Sequence, residues 1–385
     1  MVRRGRTGSA KWRGIQEDER APEAAEAQQP AATAPQPMES EPAPAMGRGA
    51  QAQKPGVRRL SLVTGATGRL GRKLVDALLA NGERVRILHR EELGETVPPR
   101  GWEAFRGDLS DRASLGRAVE GADVVYHLAA LVERDASPAD LLHVNYYGTK
   151  NLLDACASAG KPPKRFVFAS SISVYGKRIA RLPADESTPA DPSDWYGKSK
   201  LLAEDAVKSY GKSFPATILR PAVIYGEGFD EAYLPLLALL EKRRMVLING
   251  GRNFVPLIHA RDVVRAMMLA ADSGAAAGKA YVVAPRERRT QREIMEIACR
   301  FLGVPPPKYS VPLALASAAL KLAAATGLAG RKGGLLEEHV LTLAADRYFD
   351  VSRAEQDFGF KAEVALEDGI REMVEYYNSR KGGTQ

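Results

Sequence analysis

The stretch Leu60-Ser61-Leu62-Val63-Thr64-Gly65-Ala66-Thr67-Gly68-Arg69-Leu70-Gly71 reads as an apolar strand running into a glycine turn, and the run RKLVDALLANG (72–82) continues it as an amphipathic helix. Gly65, Gly68 and Gly71 fall at every third position. That spacing permits a tight turn, close backbone approach to a pyrophosphate and packing of the helix against its strand. The helix N-terminus offers unpaired N–H groups and partial positive charge to the phosphates. Gly65, Thr67, Gly68, Arg69, Leu70 and Gly71 are therefore candidate dinucleotide contacts, with an ordinary strand-to-helix turn as the competing reading.

Outward from this unit the alternation continues. Strand-like runs RVRILHR (84–90), DVVYHLAAL (123–131), RFVFASS (165–171) and ATILRP (216–221) are separated by helix-length segments. Such spacing predicts right-handed βαβ units and an α/β, doubly wound parallel sheet buried on both faces. Gly82, Gly121 and Gly160 stand where helices should stop. After Gly226 the alternation fails, and a smaller, mostly helical C-terminal lobe is expected, with GKAYVVAP (278–285) returning to the main sheet. The expected organisation is a disordered Ala/Pro-rich tail over 1–56, a dinucleotide-binding domain over 57–226 rejoined by 257–285, a substrate lobe from 227–256 and 286–378, and a short tail over 379–385.

Composition narrows the function. The chain has 385 residues, 45% hydrophobic and 26% charged, with 55 basic against 47 acidic residues and a formal charge of +8. No basic run is interleaved with stacking aromatics, so nucleic acid is not an expected partner. Two cysteines, Cys156 and Cys299, exclude a disulfide-stapled scaffold and read as small core residues. No His, Cys or carboxylate spacing suggests a metal site. The basic start lacks an apolar run and is soon followed by acids, which speaks against a secretory or mitochondrial leader; a cytoplasmic protein is expected.

The end of the second strand bears on the choice of dinucleotide. An acid there would hold a ribose 2′-hydroxyl, whereas arginine accommodates a 2′-phosphate. Here His89 and Arg90 precede the first acid, and Arg69 is a second candidate, so NADP(H) is favoured over NAD(H). Asp108 and Leu109 could bracket the adenine, although a turn-capping Asp108 explains the same residues. Leu128, Ala129 and Ala130 end the fourth strand with side chains suited to a backbone lying close to a cofactor.

Tyr196 and Lys200 stand at i and i+4 where a helix opens. A free phenol is a poor acid and base at neutral pH, and a nearby ammonium together with an oxidised nicotinamide should lower its pKa. Ser171, ending RFVFASS, would hold a substrate carbonyl for reaction. What raises this trio above chance is order: glycine loop, strand ending in two serines, then Tyr-x-x-x-Lys, each at the carboxyl end of a strand.

TGATGRLG (64–71), HLAA (127–130), VNYYGTKNLL (144–153), SSISVYG (170–176), YGKSK (196–200) and LRPAVIYGEG (219–228) together resemble the extended short-chain dehydrogenase/reductase superfamily. The resemblance runs in order over about 58–376 and implies Ser171, Tyr196 and Lys200 as catalytic residues, with Ser171 chosen over Ser170 by its spacing to Val174-Tyr175-Gly176. It also implies Pro221 beside the nicotinamide, Lys200 on its ribose and Asn145 near the site. LRPAVIYGEG and GRNFVPLIHARDVVRAM (251–267) are most similar to 3β-hydroxysteroid dehydrogenase-like members, which implies a secondary alcohol or ketone on an apolar, sterol- or lipid-like small molecule. A nucleotide-sugar epimerase or dehydratase is the alternative, weakened because Ala222-Val223-Ile224 replaces the asparagine expected after LRP. A non-catalytic dinucleotide-binding subunit is the second alternative, which the intact trio opposes.

Three further segments complete the reading. VPLALASAALKLAAATGLA (311–329) is almost wholly apolar, and a buried or groove-lining helix is expected, with a membrane-surface contact as the other option. His259 and Asp262 fit a helix cap and a packing histidine, and Glu241-Lys242-Arg243-Arg244 a solvated helix end. Monomer and homodimer are both left open.

Overall fold

The computed structural model describes residues 59–90, 101–133, 136–326 and 344–382. The segment 1–56, expected to be a disordered tail, lies outside them.

The first half supplies strands β1 (Leu60–Thr64), β2 (Arg84–His89), β3 (Trp102–Arg106), β4 (Val124–His127), β5 (Arg165–Ala169) and β6 (Ala216–Pro221). The second half adds β7 (Val223–Tyr225), β8 (Leu247–Ile248), β9 (Leu257–His259), β10 (Ala280–Val283) and β11 (Ser310–Val311). Helices α1 (Arg69–Ala80), α2 (Arg112–Val119), α3 (Pro138–Leu141), α4 (Gly148–Ser158) and α5 (Trp195–Ser209) alternate with the early strands. They are followed by α6 (Asp230–Glu241), α7 (Ala260–Asp272), α8 (Gln291–Leu302), α9 (Leu313–Ala325), α10 (Ser352–Phe358) and α11 (Leu366–Gly382).

Seven strands form one sheet in the order β10-β6-β5-β4-β1-β2-β3, all parallel. This is the doubly wound α/β architecture that the alternation predicts, and β10 returns to the sheet beside β6 as expected. The central strands β1 and β4 are buried along their whole length, as continuous apolar runs require, whereas edge strand β3 is half-exposed. Arg84 and Arg86 of β2 pair with Glu103 across that edge.

Helix stops follow the glycines only in part. Gly82 and Gly121 adopt φ of +78° and +69° after α1 and α2. Gly160 is not left-handed; Ala159, in extended conformation, ends α4.

A separate apolar cluster holds the smaller lobe, with Leu237, Leu240, Met295, Ile297, Met373 and Tyr377 drawn from α6, α8 and α11. Phe349, Val351, Ala354 and Phe360 instead join the core beside the main sheet. Among the described residues no helix is long and apolar enough to cross a membrane. The expected burial of 311–329 needs correction. Helix α9 forms, but Leu315 and Leu322 face outward; 327–329 fall outside the described residues.

Candidate active site

Strand order reverses between β1 and β4, which opens a crevice at their carboxyl ends. The glycine loop lies in it. Gly65 has φ +70°, and a Cβ there would sit 2.6 Å from the Ala129 backbone nitrogen, so the end of β4 presses directly on the loop. A Cβ on Gly71 would fall 2.0 Å from the Gly65 carbonyl oxygen. Helix α1 begins after Gly68 without any side-chain cap, leaving its first N–H groups to an outside acceptor. Loop and helix therefore fit a dinucleotide pyrophosphate, and Thr67, Gly68 and Arg69 are exposed at its surface.

The two arginines considered for a 2′-phosphate have different neighbours. Arg69 places its guanidinium 5.9 Å from the Phe229 ring centre. Arg90, at the end of β2, lies 4.0 Å from Asp108 Oδ2. The other Asp108 oxygen caps its own turn by accepting from the Ser110 amide (2.8 Å) and hydroxyl (2.6 Å). Partial burial opposes ionisation of Asp108, but the Ser110 bonds and Arg90 outweigh it and hold the carboxyl below its usual range. Leu109 is buried, with its carbonyl accepting from Asn151.

Tyr196, Lys200 and Ser171 come from adjoining elements. Asp194 caps α5 by accepting from the Gly197 amide at 2.7 Å, which starts the helix just before the tyrosine. The Ser171 hydroxyl lies near enough to the Tyr196 phenol to favour its ionised form, while itself donating to Ser173 Oγ at 3.0 Å and accepting from the Ser173 amide at 3.1 Å. The neighbouring Ser170 is committed elsewhere, donating to Glu204 Oε1 at 2.5 Å. Lys200 is buried, with Nζ 4.6 Å from the Phe168 ring centre. Burial lowers its pKa to about 7, partly offset by Glu204. Burial pushes the Tyr196 phenol up to about 12, against the pull of Ser171; the depression expected from sequence requires an oxidised nicotinamide beside the ring. Pro221 ends β6, buried one residue after Arg220.

Several residues that sequence reasoning passed over complete the site. Glu204 follows Lys200 at i+4 and receives Arg220 from β6, so the helix spacing could have exposed it. A hydrogen-bond chain also crosses the crevice beneath the loop. The Ala129 amide donates to Thr64 Oγ1 (3.3 Å), which lies 2.7 Å from His127 Nδ1. His127 Nε2 is 2.8 Å from Thr149 Oγ1, which itself donates to the Asn145 carbonyl at 2.6 Å. Because Thr149 spends its proton there, His127 must carry hydrogen on Nε2 and accept at Nδ1. Burial, with the charge of Lys200, holds that imidazole neutral, its pKa down to about 3.

Asn145 sits in a π-helical turn, Leu142–Tyr147, and both ends of its amide are engaged. It accepts from the Leu131 amide (2.7 Å) and donates to the Leu131 carbonyl (3.0 Å) and to Ser199 Oγ (2.9 Å). Ser199 in turn donates to the Tyr196 carbonyl at 2.8 Å. Asn145 thus holds the tyrosine's backbone. His259 caps α7 by accepting from the Arg261 amide, and Asp262 accepts from the Glu363 and Val364 amides, both as expected of structural residues.

A sheet of this topology with a glycine cradle at its switch point defines the dinucleotide-binding α/β class. Residues 61–284 match the family model of the NAD dependent epimerase/dehydratase family, and the chain belongs to that family, within the extended short-chain dehydrogenase/reductases. A 4-hydroxy-2-methyl-3-oxo-4-farnesyl-3,4-dihydroquinoline-1-oxide ketoreductase of Stigmatella aurantiaca is 28% identical over 316 residues, 80% of this chain and 94% of the relative. Sterol demethylase protein B of Methylococcus capsulatus is 34% identical over 260 residues, 66% of this chain and 77% of the relative. The structure of MoeE5 in complex with UDP-glucose and NAD superposes with a TM-score of 0.65 at 26% identity, covering 83% of this chain and 99% of that one. The chain is an NAD(P)-dependent enzyme of this type.

Proposed function

We propose that the protein is an NADP(H)-dependent oxidoreductase that interconverts a secondary alcohol and a ketone on an apolar, sterol- or lipid-like substrate. The observation that carries this reading is the placing of the Ser171 hydroxyl near the Tyr196 phenol, with buried Lys200 one turn along the same helix. Bound there, the dinucleotide supplies or accepts the hydride. Gly65, Thr67, Gly68, Arg69, Leu70 and Gly71 would hold its pyrophosphate, Asp108 and Leu109 its adenine, Leu128, Ala129, Ala130 and Pro221 its inner half, and Arg90 a 2′-phosphate.

In the reducing direction the Ser171 hydroxyl donates a hydrogen bond to the substrate carbonyl, and the Tyr196 phenol gives its proton to the oxygen as negative charge develops. The Lys200 ammonium stabilises the phenolate left behind and also binds the nicotinamide ribose. The ketoreductase and sterol demethylase relatives favour an apolar substrate. Similarity to MoeE5 favours a nucleotide sugar instead, but Ala222-Val223-Ile224 offers a diphosphate no side-chain donor.

Turnover of NADPH with a panel of sterol, aryl-ketone and nucleotide-sugar substrates separates the readings. Net NADPH oxidation by an apolar ketone is expected. Tyr196→Phe should lower it by about two orders of magnitude or more while leaving the Kd for NADPH within about twofold. Turnover near that of the parent enzyme in this variant overturns the mechanism. Conversion of a nucleotide sugar without net oxidation supports the epimerase reading.

A further inference from the structure

Helix α9 carries its apolar residues on the wrong side for a water-facing helix. Leu315 (62% exposed), Ala318, Ala319 and Leu322 (66% exposed) are spaced i, i+3, i+4 and i+7, so they form one continuous outward stripe. Tyr309, at 73% exposure, and Val246 extend the apolar surface at the ribbon that pairs β8 with β11. That ribbon anchors the helix. The Leu247 amide donates to the Tyr309 carbonyl, and the Leu313 amide donates to Asn249 Oδ1 at 2.8 Å, fixing the start of α9 against the turn after β8.

The ribbon and helix segments themselves carry charge of one sign. Segments 242–252 and 303–326 contain Lys242, Arg243, Arg244, Arg252, Lys308 and Lys321 and no acidic residue. Arg243, Arg244, Arg252 and Lys308 are exposed and have no ion-pair partner among the described residues, whereas exposed Lys242 feels the neighbouring Glu241 carboxylate. Other cations of the lobe do meet acids, as Arg292 does Glu296 and Arg380 does Asp230. An outward apolar stripe flanked by unneutralised cations is complementary to a surface with an apolar interior and anionic headgroups.

We propose that α9 and the β8–β11 ribbon form a docking face for an anionic lipid surface. Leu315, Leu322 and Tyr309 enter the boundary between headgroups and acyl chains, while the lysines and arginines of 242–252 and 308 meet lipid phosphates. The assignment stands apart from the catalytic reading, since binding is measured without turnover.

The full chain is sedimented with vesicles of phosphatidylcholine alone and with about a third phosphatidylglycerol. Uptake by the anionic vesicles only, reduced by added salt, is expected. Leu315→Glu with Leu322→Glu, and separately Arg243→Glu with Arg244→Glu, should each reduce partitioning by about tenfold or more. Both pairs are exposed, so unchanged thermal melting serves as the folding control. Leu322→Cys carrying an environment-sensitive fluorophore gives a second readout, because Cys156 and Cys299 are buried. Its emission should shift to the blue on anionic vesicles. No vesicle uptake, uptake that the Leu315/Leu322 variant leaves intact, or an unshifted emission overturns the proposal. So does a dimer that this variant dissociates in the absence of any lipid binding, which would assign the stripe to a second copy of the chain.

Discussion

The Glu204 carboxylate grips the Arg220 guanidinium at two points, Oε2 to Nη2 at 2.6 Å and Oε1 to Nε at 2.9 Å, with both side chains buried. Arg220 Nη1 also donates to the Tyr175 hydroxyl at 2.7 Å, and Ser170 donates to Glu204 Oε1. This cluster joins helix α5, which bears Tyr196 and Lys200, to β6 and to the end of β5. Ser170 and Arg220 thereby bond the one buried carboxylate, which also raises the Lys200 pKa against the effect of burial.

Removing that charge should be costly. Glu204→Gln leaves Arg220 buried without a counter-ion, and a loss of about 3–5 kcal/mol is expected in urea denaturation. Replacing both partners, as Glu204→Leu with Arg220→Met, should recover much of it because no orphan charge remains. If the single variant costs under about 1 kcal/mol, the pair does not hold the helix.

The neutral state of His127 makes stability depend on pH. Its folded pKa, about 3, lies below the unfolded value near 6.5, so between these limits the unfolded chain binds a proton that the folded chain refuses. Its contribution is complete above about pH 6.5 and is lost as pH falls towards 3, with a slope approaching about 1.4 kcal/mol per pH unit inside the window. Denaturation of the parent chain and His127→Gln at several pH values should show a steeper acid loss in the parent. Parallel curves would mean that the imidazole charges freely, contrary to its place between Thr64 and Thr149.

How far the site can be read from sequence follows from what each residue needs. The glycine loop and its strand were legible because their conformation is local: Gly65 and Gly71 leave no room for a side chain, and only a few neighbours impose that. Tyr196 and Lys200 were legible because one helix turn fixes their spacing. His127, Thr64 and Thr149 were not, because a bond between β1, β4 and α4 depends on strand order, which no single segment contains. Spacing to Lys200 is local, whereas the burial that pushes Tyr196 up is set by the whole fold. Helix α9 shows the limit from the other side, since apolar composition gives a helix but not the face that other segments cover.

The loop itself can be tested by adding a single methyl group. In Gly71→Ala the new Cβ would lie 2.0 Å from the Gly65 carbonyl oxygen, and backbone cannot yield as a side-chain end can. A loss of about 2 kcal/mol or more and failure to bind NADPH are expected, read by denaturation and by nucleotide fluorescence. Gly82→Ala is the control: it has φ +78° but open space, so only the left-handed conformation opposes it, at about 1 kcal/mol, with NADPH binding retained.

Arg90 decides between the two dinucleotides if it meets a 2′-phosphate. In the structure its guanidinium is exposed, and its ion-pair neighbour among the described residues is Asp108 at 4.0 Å, a partner already occupied by Ser110. So long and exposed a pair contributes little to stability, so the guanidinium is free to turn to a stronger acceptor. Arg90→Ala should therefore leave thermal stability nearly unchanged and weaken NADPH by about tenfold or more, while NADH shifts by less than about twofold. Fluorescence titration with each nucleotide measures both. Equal weakening of the two would place Arg90 against a part of the cofactor they share, and no weakening of either would leave the preference for NADP(H) without a residue to cause it.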